Sequence, residues 1–172
     1  ENLFDPFKLK SILEERMFSL GVDVRKGYKA TKKDIKNYHG GVIATYANQG
    51  YWDDEDKIYQ FELCEKPIAQ LPAKYKGLSI VIMDGPFMCI DPYMETDFHV
   101  MGNVVHAIHS TNLGKEPKIP NEYIEVLNQG IIKPPKHLTK FDKFIKSAKK
   151  FFPNIEDSVH IGSMYTVRAV ES

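Results

Sequence analysis

Three histidines, His99, His106 and His109, fall within the stretch FHVMGNVVHAIHS (98–110), dense enough to raise metal chemistry. Zinc takes three or four ligands converging on one point. Val104 and Val105 favour an extended chain, and along a strand successive side chains alternate faces. His106 then points one way with Val104 and Ile108, while His99 and His109 point the other. A helix would instead bring His106 and His109 together at i, i+3, still short of a full ligand set. The spacing predicts no metal site. It predicts imidazoles that pack or hydrogen-bond along a sheet lining a cleft.

Other candidate chemistries fail on spacing. DDEDK (53–57) has the acidity of a calcium loop but lacks its central glycine and terminal glutamate, and reads as a solvated linker. The lysines at 140, 143, 146, 149 and 150 fit the outer face of an amphipathic helix. No GxSxG turn and no catalytic cysteine context appears. The eleven glycines form neither GxGxxG nor a P-loop, so these residues carry no dinucleotide phosphate cradle of the usual kind.

Composition narrows the classes further. Lys and Arg number 23, as do Asp and Glu, so net charge recruits neither nucleic acid nor an anionic membrane. The longest apolar runs, such as SIVIM (79–83), are far too short to span a bilayer. Cys64 and Cys89 have no metal-ligand spacing, which implies free thiols in a reducing, cytoplasmic compartment. The sequence shows no signal peptide and no initiator methionine, and is read as processed, trimmed or a piece of something longer.

The elements that must position any site follow from periodicity. Asp5 and Pro6 open a helix whose Leu9, Ile12, Leu13, Met17 and Leu20 recur at helical spacing, with Gly21 as its stop. VDVRKG (22–27) reads as a short strand. GGVIATYANQG (40–50) reads as a strand buried on both faces, as in a parallel sheet. From residue 57 the pattern alternates: Ile58, Gln60, Glu62 and Cys64 share one face, Tyr59, Phe61 and Leu63 the other. Short strands over 78–85, 87–93 and 98–109, with a turn at METD, predict an antiparallel sheet. A Gly-, Pro- and Asn-rich loop (110–121) and a short helical stretch (121–128) follow. Phe141, Phe144, Ile145, Ala148 and Phe152 make the buried stripe of a helix over 139–152 stopped by Pro153. A last strand runs over 158–170.

This succession resembles the glycine/D-amino-acid oxidase-like superfamily of FAD-dependent oxidoreductases. GGVIATYANQG is similar to the strand whose ATG-like end passes close to the flavin. CEKPIAQLP resembles the first substrate-domain strand, MCIDPYMETDFHVMGN a strand–Pro–turn–strand–Gly element, and FFPNIEDSVHIGSMYTVRAV the return segment. The resemblance spans about residues 4–170 and rests on the order of individually weak motifs. Tyr46 departs from it, standing where the family usually has glycine after Ala-Thr. The family's N-terminal GxGxxG unit and its final glycine-rich segment have no counterpart here.

The resemblance implies an α+β fold: an α/β remnant of an FAD-binding domain, plus a mainly antiparallel substrate-domain sheet with packed helices. Its implied domains are a partial FAD-binding domain (1–52), a substrate-binding domain (53–153) and a strand returning toward the FAD-binding domain (154–172). It implies an oxidoreductase that removes hydride from an amine or amino acid onto FAD, which this chain alone is not expected to retain. Ala44, Thr45 and Tyr46 would approach the cofactor. Arg168 would pair a substrate carboxylate, its guanidinium matching that group in a fork. Tyr165, Tyr93 and His106 would line the pocket. The incomplete flavin domain would expose sheet edge and apolar surface, favouring self-association or a partner chain. The competing class is a non-catalytic small-molecule-binding or protein-interaction module that has lost cofactor binding.

Overall fold

The structure, a computed structural model, describes residues 4–52, 57–85 and 87–171. The acidic stretch 53–56, expected as a solvated linker, lies outside the described residues. Two compact units divide the chain, Glu1–Val42 and Ile43–Ser172.

In the first unit, helix α1 (Pro6–Ser19) starts where its cap dictates. The Asp5 carboxylate accepts from the Phe7 and Lys8 N–H groups at 2.8 and 3.2 Å, satisfying two of the donors a helix start leaves open. Gly21 follows the helix in a left-handed conformation. Leu9, Ile12 and Leu13 stay exposed, so the apolar stripe finds no core within this unit. Residues 22–27 form no strand, and α2 (Lys32–Ile35) is a single turn. The expected buried strand at 40–50 is absent as well. Val42 is 95% exposed, and the chain passes as unpaired backbone into a 3-10 turn (Tyr46–Asn48) and the short α3 (Gln49–Trp52). A continuous apolar run becomes a buried strand only with neighbours on both edges, and no described residue before 59 lies in a strand.

The second unit is a mainly antiparallel six-stranded sheet with helix packed on one face, an α+β fold. Strand β1 (Tyr59–Gln70) is its axis. One edge of β1 pairs along its length with β6 (Val159–Glu171). The other edge is shared: β5 (Ile108–Gly114) takes residues 59–64, and β4 (His99–Asn103) takes Ile68 and Ala69. Beyond β4 the order continues through β3 (Met88–Pro92) to β2 (Ile80–Ile82). The return segment from 154 thus enters the same sheet as the strands from 59 onward.

Period 2 sorts the two faces. Tyr59, Phe61 and Leu63, joined by Tyr165 and Val167 of β6, bury one face against Tyr123, Val126 and Leu138. On that same face, Met88, Ile90 and Met101 pack under helix α4 (Phe141–Ala148), which contributes Phe141, Phe144 and Ala148. The stripe from 141 to 152 was legible as such; the regular helix ends at Ala148, and turns carry Phe152 into the same core. The opposite face bears Glu62, Cys64 and Lys66 from β1 with Thr166 and Arg168 from β6.

The 98–109 segment follows one edge of β1 in a single direction, as the alternation predicted, but a turn at 103–107 breaks it into β4 and β5. Asn103 makes the break: its side-chain Oδ1 accepts from the N–H groups of Val105 and His106, both at 2.9 Å. An Asn that bonds the backbone two and three residues on closes a turn that β-branched valines cannot prevent. β5 then runs through 114, inside the span read as a loop.

The segment after β5 is fastened back onto β6 at Tyr165, through the Asn128 N–H, and more tightly at Ser163. Ile132 and Ser163 exchange backbone hydrogen bonds of 3.1 and 2.8 Å. A Cβ added at Gly162 would lie within 2.8 Å of Ile131 Cγ2 and still closer to the Ile132 carbonyl oxygen. Gly162→Ala should therefore cost about 1–3 kcal/mol through overpacking, read from the shift of the urea unfolding midpoint. A midpoint equal to that of the unaltered protein would show that the 131–132 segment yields freely.

Candidate functional site

The sheet's open face carries a cleft of about 300 Å³. Its floor is built by register: Cys89 of β3 lies directly opposite Gly102 of β4, and Cys64 of β1 opposite Thr166 of β6. A Cβ at position 102 would overlap the Cys89 sulfur, so glycine there leaves room for the thiol to lie across the sheet. Lys66, Thr166 and Arg168 line the cleft from the two long strands, and Tyr46 from the segment ahead of β1. Val81, Phe87 and Ala107 give it an apolar side. Tyr46 and Phe87 both hold backbone φ values above zero, +50° and +27°, a region non-glycine residues occupy at a cost.

Arg168 is half-exposed, and its Nε donates to the Glu62 carboxylate, whose side chain is only 6% exposed. That hydrogen bond raises the Arg168 pKa further, so the guanidinium is charged at every accessible pH. Both cysteines are free, and burial pushes both thiols above their ordinary pKa. They are poor nucleophiles at neutral pH, since the thiolate is the reactive form.

The residues expected in the pocket separate. Arg168 and Tyr46 line the cleft together. Ala44 is exposed just ahead of it in sequence, and Thr45 Oγ1 is buried with no hydrogen-bond partner among the described residues. Tyr165 is three residues from Arg168 and so faces the opposite side of the sheet, where it is 1% exposed. Tyr93 sits in the β3–β4 turn, its N–H bonded to the Phe98 carbonyl at 2.9 Å. His106 lies in the β4–β5 turn beside Lys143 and Lys146 in a separate depression of the surface. Burial, then the charges of Lys143 and Lys140, lower its pKa.

The three histidines occupy three different settings. His99 is buried, with no partner in hydrogen-bond geometry for either ring nitrogen among the described residues. Desolvation lowers its pKa, outweighing the backbone at Tyr75, the Asp91 charge and the backbone at Leu78, which act in the opposite sense. Among the described residues, no group of three or more His, Cys, Asp or Glu is arranged to hold a metal ion.

His109 belongs instead to a buried network whose members are scattered along the sequence. Its centre is Glu65, fully buried on the core face. The Glu65 carboxylate accepts from Thr139 Oγ1, from the Lys140 N–H at 2.8 Å and from Ser163 Oγ at 2.6 Å, and pairs with His109 Nε2 at 2.8 Å. His109 Nδ1 meets the Tyr123 hydroxyl at 2.7 Å, and the Tyr165 hydroxyl donates to the Leu138 carbonyl at 2.8 Å. A carboxylate only accepts, so His109 carries hydrogen on Nε2. The network ties β1, β5 and β6 to the segments at 123 and 138–140. It faces away from the cleft, so it organises the sheet that bears the site.

No described helix is long and apolar enough to cross a membrane. No protein-family model, no curated protein and no solved structure matches the chain.

Proposed function

We propose that this chain is the substrate-side portion of an FAD-dependent amine or amino-acid oxidoreductase, and that the cleft on the open face is where substrate meets the flavin. The observation that carries this reading is the meeting of Tyr46 and Arg168 at one cleft. The resemblance assigns the first to the cofactor side and the second to the substrate side, and they are 122 residues apart in sequence. A second feature agrees with it. Tyr46 stands where the family has glycine, and its φ of +50° is one that glycine adopts freely and other residues do not.

The residues present suit only the ring end of FAD. Thr45 Oγ1 is a buried hydroxyl in need of a partner, and Ala44 and Tyr46 on either side of it are exposed. The pyrophosphate has no glycine turn here to receive it. FAD, when bound, accepts the hydride; the protein binds and orients the substrate and keeps water away. Arg168, held by Glu62 through Nε, lines the cleft, and Thr166 adds a hydroxyl. Two free thiols suit a cytoplasmic setting.

The competing module reading draws on one observation. The exposed α1 stripe and the 95%-exposed Val42 are surface that a second copy or a partner chain would cover. The two readings part on flavin. Protein made from the complete native coding sequence should purify yellow, with one FAD per chain, while the 172-residue chain alone should be colourless. A colourless product from the complete coding sequence, or stoichiometric FAD on this chain by itself, would overturn the oxidoreductase reading as stated.

A further inference from the structure

The cleft is lined by two cations, Arg168 and Lys66, and among the described residues only Arg168 has a carboxylate partner. Arg168 faces Glu62 directly across β6 and β1 and is bonded to it. Lys66 lies four residues further along β1 on the same face, exposed, and among the described residues no hydrogen bond or ion pair engages its ammonium. The ammonium is 3.6 Å from the point a Cβ at 102 would occupy, the same gap into which the Cys89 thiol projects. Absence of a side chain at 102 therefore lets Lys66 reach the cleft floor. Asp91, on the same face of β3, accepts from Ser79 Oγ at 2.6 Å and forms no ion pair with Lys66. Arg168 and Lys66 both act on the Cys64 thiol from within the cleft.

The remaining walls are apolar, Val81, Phe87 and Ala107 among them. An unneutralised ammonium among such walls favours a ligand that brings both an anion and an apolar body. A volume of about 300 Å³ is at the small end for ligand pockets, the size of a single aryl- or alkyl-substituted acid. We propose that Lys66, rather than Arg168, seats the anionic end of the cleft's ligand, a small monocarboxylate whose apolar body lies against Phe87 and Val81. Arg168 then fixes the floor by holding Glu62. The assignment rests on reading the cleft as a substrate site, but occupancy of the cleft needs no flavin.

Cys89 reports that occupancy. Its alkylation by iodoacetamide, followed peptide by peptide by mass spectrometry, should slow saturably with phenylacetate. At ten times the Kd the rate should fall about tenfold, because only the unoccupied fraction reacts. Phenylacetamide, with the same shape and no charge, should give no protection. Lys66→Met should abolish protection, Lys66→Arg should keep it, and Arg168→Lys, which retains a cation for Glu62, should keep it too. The assignment is overturned if phenylacetate gives no protection, if the amide protects equally, or if Arg168→Lys loses protection while Lys66→Met keeps it. Protection in a protein that never binds FAD would leave this site standing and the oxidoreductase reading fallen. FAD without protection would do the reverse.

Discussion

Glu65→Ala should destabilise the protein by about 3–5 kcal/mol, the range for removing one partner from a buried charged network. The substitution strands the Thr139 and Ser163 hydroxyls, the Lys140 N–H and the His109 ring, all of which now converge on one carboxylate. Each buried group left unpaired carries a desolvation cost of about 1–3 kcal/mol, part of which relaxation recovers. Glu65→Gln keeps the shape but presents an amide donor to donors, and should cost about 1–3 kcal/mol. Urea unfolding at neutral pH measures both. A loss below 1 kcal/mol for the alanine variant would mean that water or rearrangement replaces the carboxylate without penalty.

The same carboxylate sets an acid limit. Burial alone would raise the Glu65 pKa, but hydrogen bonds from His109, Ser163, Thr139 and the Lys140 backbone outweigh it and hold the pKa below the ordinary value. In the unfolded chain the group takes up its proton near the usual value of about 4.3. Its contribution to stability is therefore complete above that pH and is lost as pH falls toward and through the lower folded-state value. Glu65→Gln should remove this part of the acid slope. An identical slope in the two proteins would contradict the network as described.

Period 2 in β1 was readable because its apolar and polar sets are clean. The same alternation also reaches Glu65. Continuing the face of Tyr59, Phe61 and Leu63 by two residues puts a glutamate in the core, and a carboxylate at a core position demands partners. The donors themselves were not legible, because Thr139, Ser163 and His109 come from three distant segments. Parity along β6 likewise separates Tyr165 from Arg168 before any coordinates are known. The two strands expected before residue 52 failed for a different reason. Propensity and apolarity describe a residue's fitness for a sheet, and a sheet also needs neighbouring strands, which no described residue before 59 supplies. The interruption between β4 and β5 turned on one side chain: Asn103, whose two hydrogen bonds outweigh the extended preference of Val104 and Val105.

Arg168 could be singled out from sequence, but its engagement by Glu62 could not, since the pair is set by register across β1 and β6. For the same reason the Lys66 ammonium near Gly102 is a property of the folded sheet alone.

The central claim, that this cleft is where substrate meets flavin, is tested most directly by filling it. Thr166 lines the cleft from an exposed position on β6, so Thr166→Trp places an indole in the site with little cost to the core. In flavin-loaded protein made from the complete coding sequence, anaerobic flavin reduction by a small apolar amino acid is followed by loss of the yellow absorbance. The account predicts that the variant keeps its FAD and its unfolding midpoint, while the reduction rate falls by about a hundredfold, the scale expected when a substrate is displaced from its reacting position by an ångström or more. Reduction at the unaltered rate, with the indole in place, would contradict it.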